Sequence, residues 1–229
     1  MIVTSKLLHK IVNLPPVKKL LTENRFLVRL YFNYLYTWND PYRLGRDEEV
    51  RKFEKAFSLV REFRAANALE IGCGEGMLTH YVAAVSDKVF AFDISDAAVS
   101  RAKAAHKGRP GVEHHRADLL TDYFPEEAFD FIFCSEMLFY FLPSQLDAVV
   151  HKIARMLRCG GKLLTVHTRS LKDDTEGLAL KEFGAKTIHD AFIGIGFLQV
   201  EEDIFEQNYR ITLLRRSESP AVADYRRGS

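Results

Sequence analysis

From residue 47 to residue 167, short apolar runs alternate with stretches of helical spacing, and this alternation constrains the fold more than any other feature. Ala68–Ile71, Lys88–Ile94, Val112–Arg116, Phe129–Cys134 and Lys162–His167 read as strands. Between them, Glu48–Phe63, Met77–Val85, Ala97–Ala105 and Pro143–Leu157 read as helices. Parallel neighbours need a crossover that a helix can supply, so this order predicts an α/β domain with helices on both faces of its sheet. Gly160-Gly161 reads as the turn into the fifth strand. After a helix over Ala185–Ile193 and a break at Gly194–Gly196, Phe197–Val200 and Tyr209–Leu214 lie only a few residues apart, which suits an antiparallel pair. The expected sheet is doubly wound, seven-stranded and mostly parallel, with an antiparallel C-terminal pair.

Residues 1–45 have a different character and form an expected N-terminal helical extension. Leu7, Leu8, Ile11 and Val12 recur at helical spacing until Pro15-Pro16 interrupts them. A second helix is predicted through Phe26, Leu27, Leu30, Tyr31, Tyr34 and Leu35, ending near Asn39-Asp40-Pro41. Lys6, Lys10, Lys18, Lys19, Arg25 and Arg29 face a single acid, Glu23, in these helices. A cap on the domain with solvated lysines explains the pattern; an acidic partner or an anionic membrane surface would use the same charge. The main domain is expected over 46–216, and the polar run 217–229 reads as a loose tail.

The formal net charge of +1 gives no strong nucleic-acid signal. No apolar stretch has the length of a transmembrane segment, and no leader pattern opens the chain, so the default location is cytoplasmic. Cys73, Cys134 and Cys159 are odd in number and form no CxxC pair, so buried free thiols are expected rather than disulfides or a zinc site.

The chemistry concentrates at strand ends. Leu69-Glu70-Ile71-Gly72-Cys73-Gly74-Glu75-Gly76 follows a strand and opens a helix, where glycines let a ligand approach the backbone. The dinucleotide spacing G-x-G-x-x-G would require glycine at Met77, and no lysine follows Gly76 as a P-loop would require. The second strand ends in Asp93, about twenty residues beyond the first glycine, where a carboxylate can take both hydroxyls of a ribose.

These residues resemble the class I S-adenosylmethionine-dependent methyltransferases over roughly 45–215. The resemblance implies S-adenosyl-L-methionine as cofactor and S-adenosyl-L-homocysteine as product. It implies that Glu70, Gly72, Cys73, Gly74 and Gly76 form the loop under the methionine and ribose, and that Asp93 with Ile94 holds the ribose. Ala117, Asp118 and Leu119, after Arg116, match the adenine position. Ser135, at the end of the fourth strand, matches the region beside the methyl group. Candidates around that methyl are Glu136, Tyr140 and His167, with Arg169 nearby; His167 is a plausible general base or a buried structural histidine.

Methyl transfer from a sulfonium needs mainly alignment, so a base is required only where the nucleophile must shed a proton. No Asn/Asp-Pro-Pro-Tyr follows the fourth strand, no proline precedes Cys134, and no acidic cluster suggests a magnesium site, so no metal is expected. Asn39-Asp40-Pro41-Tyr42-Arg43, Ser135–Phe141 and the late segment from Gly184 are similar to the NodS-like nodulation methyltransferases, which N-methylate an amino sugar. That resemblance implies a small-molecule or saccharide acceptor, with Tyr42 and Arg43 closing over the methionine end of the cofactor. The long basic N-terminus and Tyr42, where tryptophan is usual, depart from that group. Tyr31, Tyr34, Tyr36 and Trp38 suit either helix packing or an acceptor pocket, and the polar run 168–183 suits a loop over that pocket or a solvated surface. The alternatives are a protein or RNA methyltransferase recruited by the basic helices, or a non-catalytic cofactor-binding scaffold.

Overall fold

A computed structural model describes Leu20 and residues 23–38, 40–169 and 184–217. The helix expected over 7–12, nearly all of the loop expected over 168–183 and the expected tail lie outside the described residues.

Seven strands make one sheet: β1 Ala65–Ile71, β2 Ser86–Asp93, β3 Val112–Arg116, β4 Phe129–Ser135, β5 Leu157–Thr168, β6 Leu198–Phe205 and β7 Tyr209–Arg216. Their spatial order is β3-β2-β1-β4-β5-β7-β6. The first five pair in parallel, and β7 runs antiparallel between β5 and β6. The order reverses at β1, flanked by β2 and β4, so a ligand crevice is expected beyond the C-terminal ends of those strands.

The helices are α1 Arg25–Leu35, α2 Asp47–Ser58, α3 Thr79–Ala84, α4 Asp96–Ala105, α5 Pro143–Met156 and α6 Ala185–Ile193. Pro143 opens α5 at a position whose N–H has no helical partner, and the Gln145 side chain accepts the Leu142 N–H at 3.0 Å. One face of the sheet buries Leu69, Ile71 and Ile132 with Val150, Ile153 and Phe192. The other buries Phe131, Phe133 and Val166 against Phe53, Phe57 and Val82. Coverage on both faces explains why the central strands are almost continuously apolar. A third, smaller cluster joins Val28, Tyr31, Phe32 and Leu35 of α1 to Ile94, Tyr42 and Tyr140 near the strand ends.

Several boundaries differ from the sequence reading. Gly160 and Gly161 lie inside β5, not in a turn before it. The register between β4 and β5 jumps from Phe129–Leu157 to Phe131–Lys162, so the intervening residues bulge out of the ladder. Gly160 takes a left-handed φ of 77°, which a bulge of this kind tolerates best in glycine. Helix α1 stops at Leu35, before Asn39-Asp40-Pro41, and α2 stops at Ser58 rather than Phe63. All three cysteines are free, but Cys159 is exposed whereas Cys73 and Cys134 are buried.

Candidate active site

The backbone leaves β1 through three left-handed glycines, with φ of 73° at Gly72, 55° at Gly74 and 84° at Gly76. The amides of Gly72 and Cys73 both donate to the Phe92 carbonyl at 2.9 Å, which pins the turn to the end of β2. A Cβ at Gly74 would stand 2.5 Å from the Tyr36 hydroxyl, so a side chain there would displace the wall facing the turn. Gly76 faces elsewhere: a Cβ would meet His106 of the loop after α4 at 2.8 Å.

Asp93 ends β2 beside the turn. Its Oδ2 accepts the Gly74 amide at 3.1 Å and its Oδ1 the Ser95 amide at 2.8 Å. Burial pushes its carboxyl up to about 6, against the opposing pull of the Ser95, Gly74 and Ile94 amides. Glu70 lies behind the turn and is only 2% exposed. Burial pushes its carboxyl up to about 8, and its Oε2 has no hydrogen-bond partner. Neither Glu70 nor Gly76 lines the cavity that the turn borders.

That cavity encloses about 700 Å³ over the ends of β1, β2 and β4. Gly72, Cys73, Gly74 and Asp93 form one wall, and Ile94, Ala117 and Leu119 extend it toward β3. Asp118 does not line it. Its carboxylate takes the Arg25 guanidinium of α1 at 2.7 and 2.8 Å, so the acid expected at an adenine is turned toward the N-terminal helix. Cys73 contributes to the wall, but burial pushes its thiol well up, which suits packing rather than nucleophilic attack.

Helix α1 and the loop after it make the roof. Asn24 caps α1 through its side-chain oxygen, which accepts the Phe26 and Leu27 amides. Asn33 Oδ1 accepts from the Ser95 hydroxyl at 2.8 Å, Arg29 pairs with Asp96, and Arg101 donates to the Trp38 carbonyl. The basic residues of α1 are therefore spent on holding the helix down. Tyr36, Tyr42 and Arg43 face the cavity from above, Tyr31 is buried in the cluster beneath α1, and Tyr34 is exposed. Burial pushes the phenols of Tyr36, Tyr42 and Tyr140 well above their ordinary value, so they act as neutral donors.

At the far end, β4 terminates in Ser135 and then Glu136, whose φ of 52° is left-handed for a non-glycine residue. The Glu136 amide donates to the Val166 carbonyl at 3.0 Å. Its Oε1 accepts from Lys52 Nζ at 3.0 Å and from the Thr168 hydroxyl at 2.8 Å. Lys52, 3% exposed, also meets Glu49 Oε2 at 2.6 Å. Burial would lower its ammonium, but Glu136 and Glu49 more than reverse that and hold it charged. Ser135 Oγ is buried on the cavity wall without a hydrogen-bond partner. Lys52, Glu49 and Thr168 were not legible as site residues, because Lys52 and Glu49 sit in a charged amphipathic helix and Thr168 at the end of a strand.

His167 is not at this site. Side chains alternate along β5, so Thr168 faces the cavity while His167 points into the core with no exposure. Its Nδ1 lies 3.1 Å from Thr165 Oγ1 and 3.3 Å from His189 Nε2, and His189 Nδ1 lies 2.6 Å from Thr212 Oγ1. Arg169 is exposed and donates to the Glu206 carbonyl at 2.8 Å, away from the cavity. Tyr140 and Glu136 remain at the cavity wall.

Residues 68–161, from β1 through the glycine turn and Glu136 to the bulge in β5, match a family described as a methyltransferase domain. This segment is similar to a methyltransferase domain. Among curated relatives, the ubiquinone biosynthesis O-methyltransferase of Bradyrhizobium sp. (strain ORS 278) is 28% identical over 152 residues, 65% of this chain and 58% of that protein. Nodulation protein S of Rhizobium tropici is 29% identical over 132 residues, 55% of this chain and 54% of that protein. The chain thus spans little more than half the length of these relatives. The crystal structure of N-methyltransferase NodS from Bradyrhizobium japonicum WM9, in complex with S-adenosyl-l-homocysteine, superposes with a TM-score of 0.73 at 22% identity, covering 83% of this chain and 98% of that one. The PH0226 protein from Pyrococcus horikoshii OT3 gives a TM-score of 0.67 at 17% identity, covering 82% and 99%. The seven-stranded sheet therefore has the Rossmann-like fold of these methyltransferase structures, with the expected antiparallel C-terminal pair. No helix among the described residues is long and apolar enough to cross a membrane.

Proposed function

We propose that this chain binds S-adenosylmethionine in the roofed cavity and transfers its methyl group to a small-molecule acceptor, with an amine nitrogen favoured as nucleophile and an amino sugar as the acceptor class. The observation that carries this reading is the continuity of the cavity from the glycine turn and Asp93 to the Glu136–Lys52–Thr168 cluster. A volume of about 700 Å³ under a roof admits a cofactor and a small acceptor, not a folded macromolecule.

The residues present fit the cofactor. Gly72 and Gly74 leave a cradle that side chains would narrow, and Ser135 Oγ is a buried polar atom in want of a partner. When bound, the cofactor supplies a methyl group already activated on a sulfonium. Asp93 would accept the ribose hydroxyls, while Ile94, Ala117 and Leu119 offer an apolar surface to the adenine. Arg43 suits the cofactor's carboxylate, and Tyr42 covers the same end. Glu136, oriented by Lys52 and Thr168, would accept an N–H or O–H of the acceptor, and the Tyr140 phenol would donate. These groups align the nucleophile, which is the main demand of an in-line displacement. Helix α1 serves as a cap on this site, a reading supported by the ion pairs of Arg25 and Arg29. We place the protein in the cytoplasm, where an exposed free thiol such as Cys159 persists.

Calorimetric titration with S-adenosylhomocysteine tests the reading. One-site binding that is largely lost in Asp93→Ala, followed by methyl transfer to an amino sugar, is the expected result. A folded wild type that fails to bind would refute it.

A further inference from the structure

A second groove, of about 360 Å³, lies between the C-terminal end of α4 and the edge strand β3, and shares no lining residue with the cavity above. Lys103, His106, Lys107, Arg109, His114 and His115 converge on it. Elsewhere the basic side chains of the described surface commonly meet an acid, as Arg29 meets Asp96, Arg64 meets Asp87, Arg116 meets Asp122 and Lys162 meets Glu201. Among the described residues no carboxylate pairs with Lys103, Lys107 or Arg109, and the one acid lining the groove, Glu113, pairs with His115 at 3.1 Å.

A buried histidine lines the same groove. His114 is 4% exposed, and its Nε2 makes no hydrogen bond. A buried polar atom left in this state is costly unless a ligand satisfies it. The His106 ring stacks on it at 5.0 Å, and burial together with the positive charge of His106, Lys103 and His115 holds His114 down to about 4. The ring is therefore neutral near pH 7 and carries one N–H. The helix C-terminus accounts for Lys103 in its last turn, but not for Arg109 beyond it or for a histidine on the strand. Among the described residues no three ligating side chains converge to hold a metal.

We propose that this groove binds a small phosphoryl-bearing anion, held by Lys103, Lys107 and Arg109, with the His114 Nε2–H as its buried donor. Its volume accommodates one such head group, and the patch lacks the extended basic track that a nucleic-acid backbone requires. An anion bound there would satisfy the orphaned nitrogen and offset the uncompensated charge.

The test is a titration of the full chain with inorganic pyrophosphate, followed through the imidazole nitrogen resonances with the first cavity saturated by S-adenosylhomocysteine. The expected result is a saturable one-site change at His114, with its protonation midpoint moving upward. The variant Lys103→Ala/Lys107→Ala/Arg109→Ala, confined to exposed side chains, should weaken binding roughly tenfold or more, as loss of charge-assisted bonds does. No saturable response at His114, or equal affinity in the triple variant, would overturn the proposal. Binding of an oligonucleotide or of anionic vesicles without any response to pyrophosphate would also overturn it, assigning the patch to a polymer or a membrane.

Discussion

The Arg25 guanidinium grips both oxygens of the Asp118 carboxylate, at 2.7 and 2.8 Å, and so ties the first described helix to the residue after β3. The pair is partly shielded, with side-chain exposures of 22% and 5%, and its geometry is the bidentate fork that makes arginine–carboxylate contacts strong. We expect Arg25→Ala to loosen the roof while leaving the sheet intact. S-adenosylhomocysteine affinity should fall roughly tenfold, and a double-mutant cycle with Asp118→Asn should return a coupling of about 1 kcal/mol. Additive single effects would mean that the pair contributes nothing to closure.

If Asp93 holds the ribose as proposed, cofactor binding should depend on pH. With its carboxyl pushed up to about 6 in the ligand-free fold, it is ionised at pH 7 and gains a proton as the pH falls through about 6. The protonated acid accepts hydroxyl hydrogen bonds poorly, so affinity for S-adenosylhomocysteine should decline below that point. Calorimetry at pH 5 and pH 8 reads the difference directly. In Asp93→Asn the affinity should be low and flat, and a wild type with no slope would remove Asp93 from ribose recognition.

Glu70 affects stability in the opposite sense to a salt-bridged carboxylate. Its folded value of about 8 stands above its ordinary 4.5, so its contribution is fully present below about 4.5 and is lost as pH rises through about 8. Glu70→Gln, which keeps the shape and removes the charge, should therefore raise the thermal midpoint at pH 8.5. The gain should shrink toward pH 5. Chemical denaturation at the two pH values decides it, and a variant less stable at both would show that the buried carboxylate is better satisfied than its geometry indicates.

Lys52 and Glu136 should separate binding from turnover. Lys52→Met removes the ammonium that orients Glu136, while the glycine turn and Asp93 stay in place. Turnover should drop about a hundredfold, within the range that misplacement of a positioning group produces. Affinity for S-adenosylhomocysteine should change far less. A parallel fall in both would reduce the pair to a structural strut.

His167 offers the contrasting case. Its ring is enclosed with His189, Thr165 and Thr212, and burial, before the repulsion of its neighbours, holds His189 far below its ordinary value. His167→Gln should cost stability, about 1–3 kcal/mol for a disturbed buried hydrogen-bond network. The folded variant should turn over at near the wild-type rate. An abolished reaction in a fully folded variant would return His167 to the catalytic group.

The fold was legible because its determinants are local. Apolar runs between Ala68 and His167 must be covered on both faces, and the turn at Gly72–Gly76 needs a backbone that only glycine adopts without strain. Asp93 and the end of β4 follow from chain order alone, since such sheets gather ligands at those positions. What stayed hidden depends on pairings across sequence. Nothing near Lys52 marks it as the partner of a carboxylate 84 residues away, and nothing near Asp118 announces that Arg25 rather than an adenine will take it. His167 misled because strand ends alternate in facing: one residue's shift exchanges cavity for core. The glycine pair at 160–161 misled because a bulge and a turn use the same residue.

The span between Arg25 and Asp118 also sets an order of assembly. The helix that closes the cavity emerges from the ribosome 93 residues before the carboxylate that anchors it. During synthesis its remaining holds, on Ser95 and Asp96, are themselves absent until β2 has been made. The roof's full set of ties therefore forms only after β3 has been made, so the helix that covers the sheet is fastened by residues that follow it in the chain.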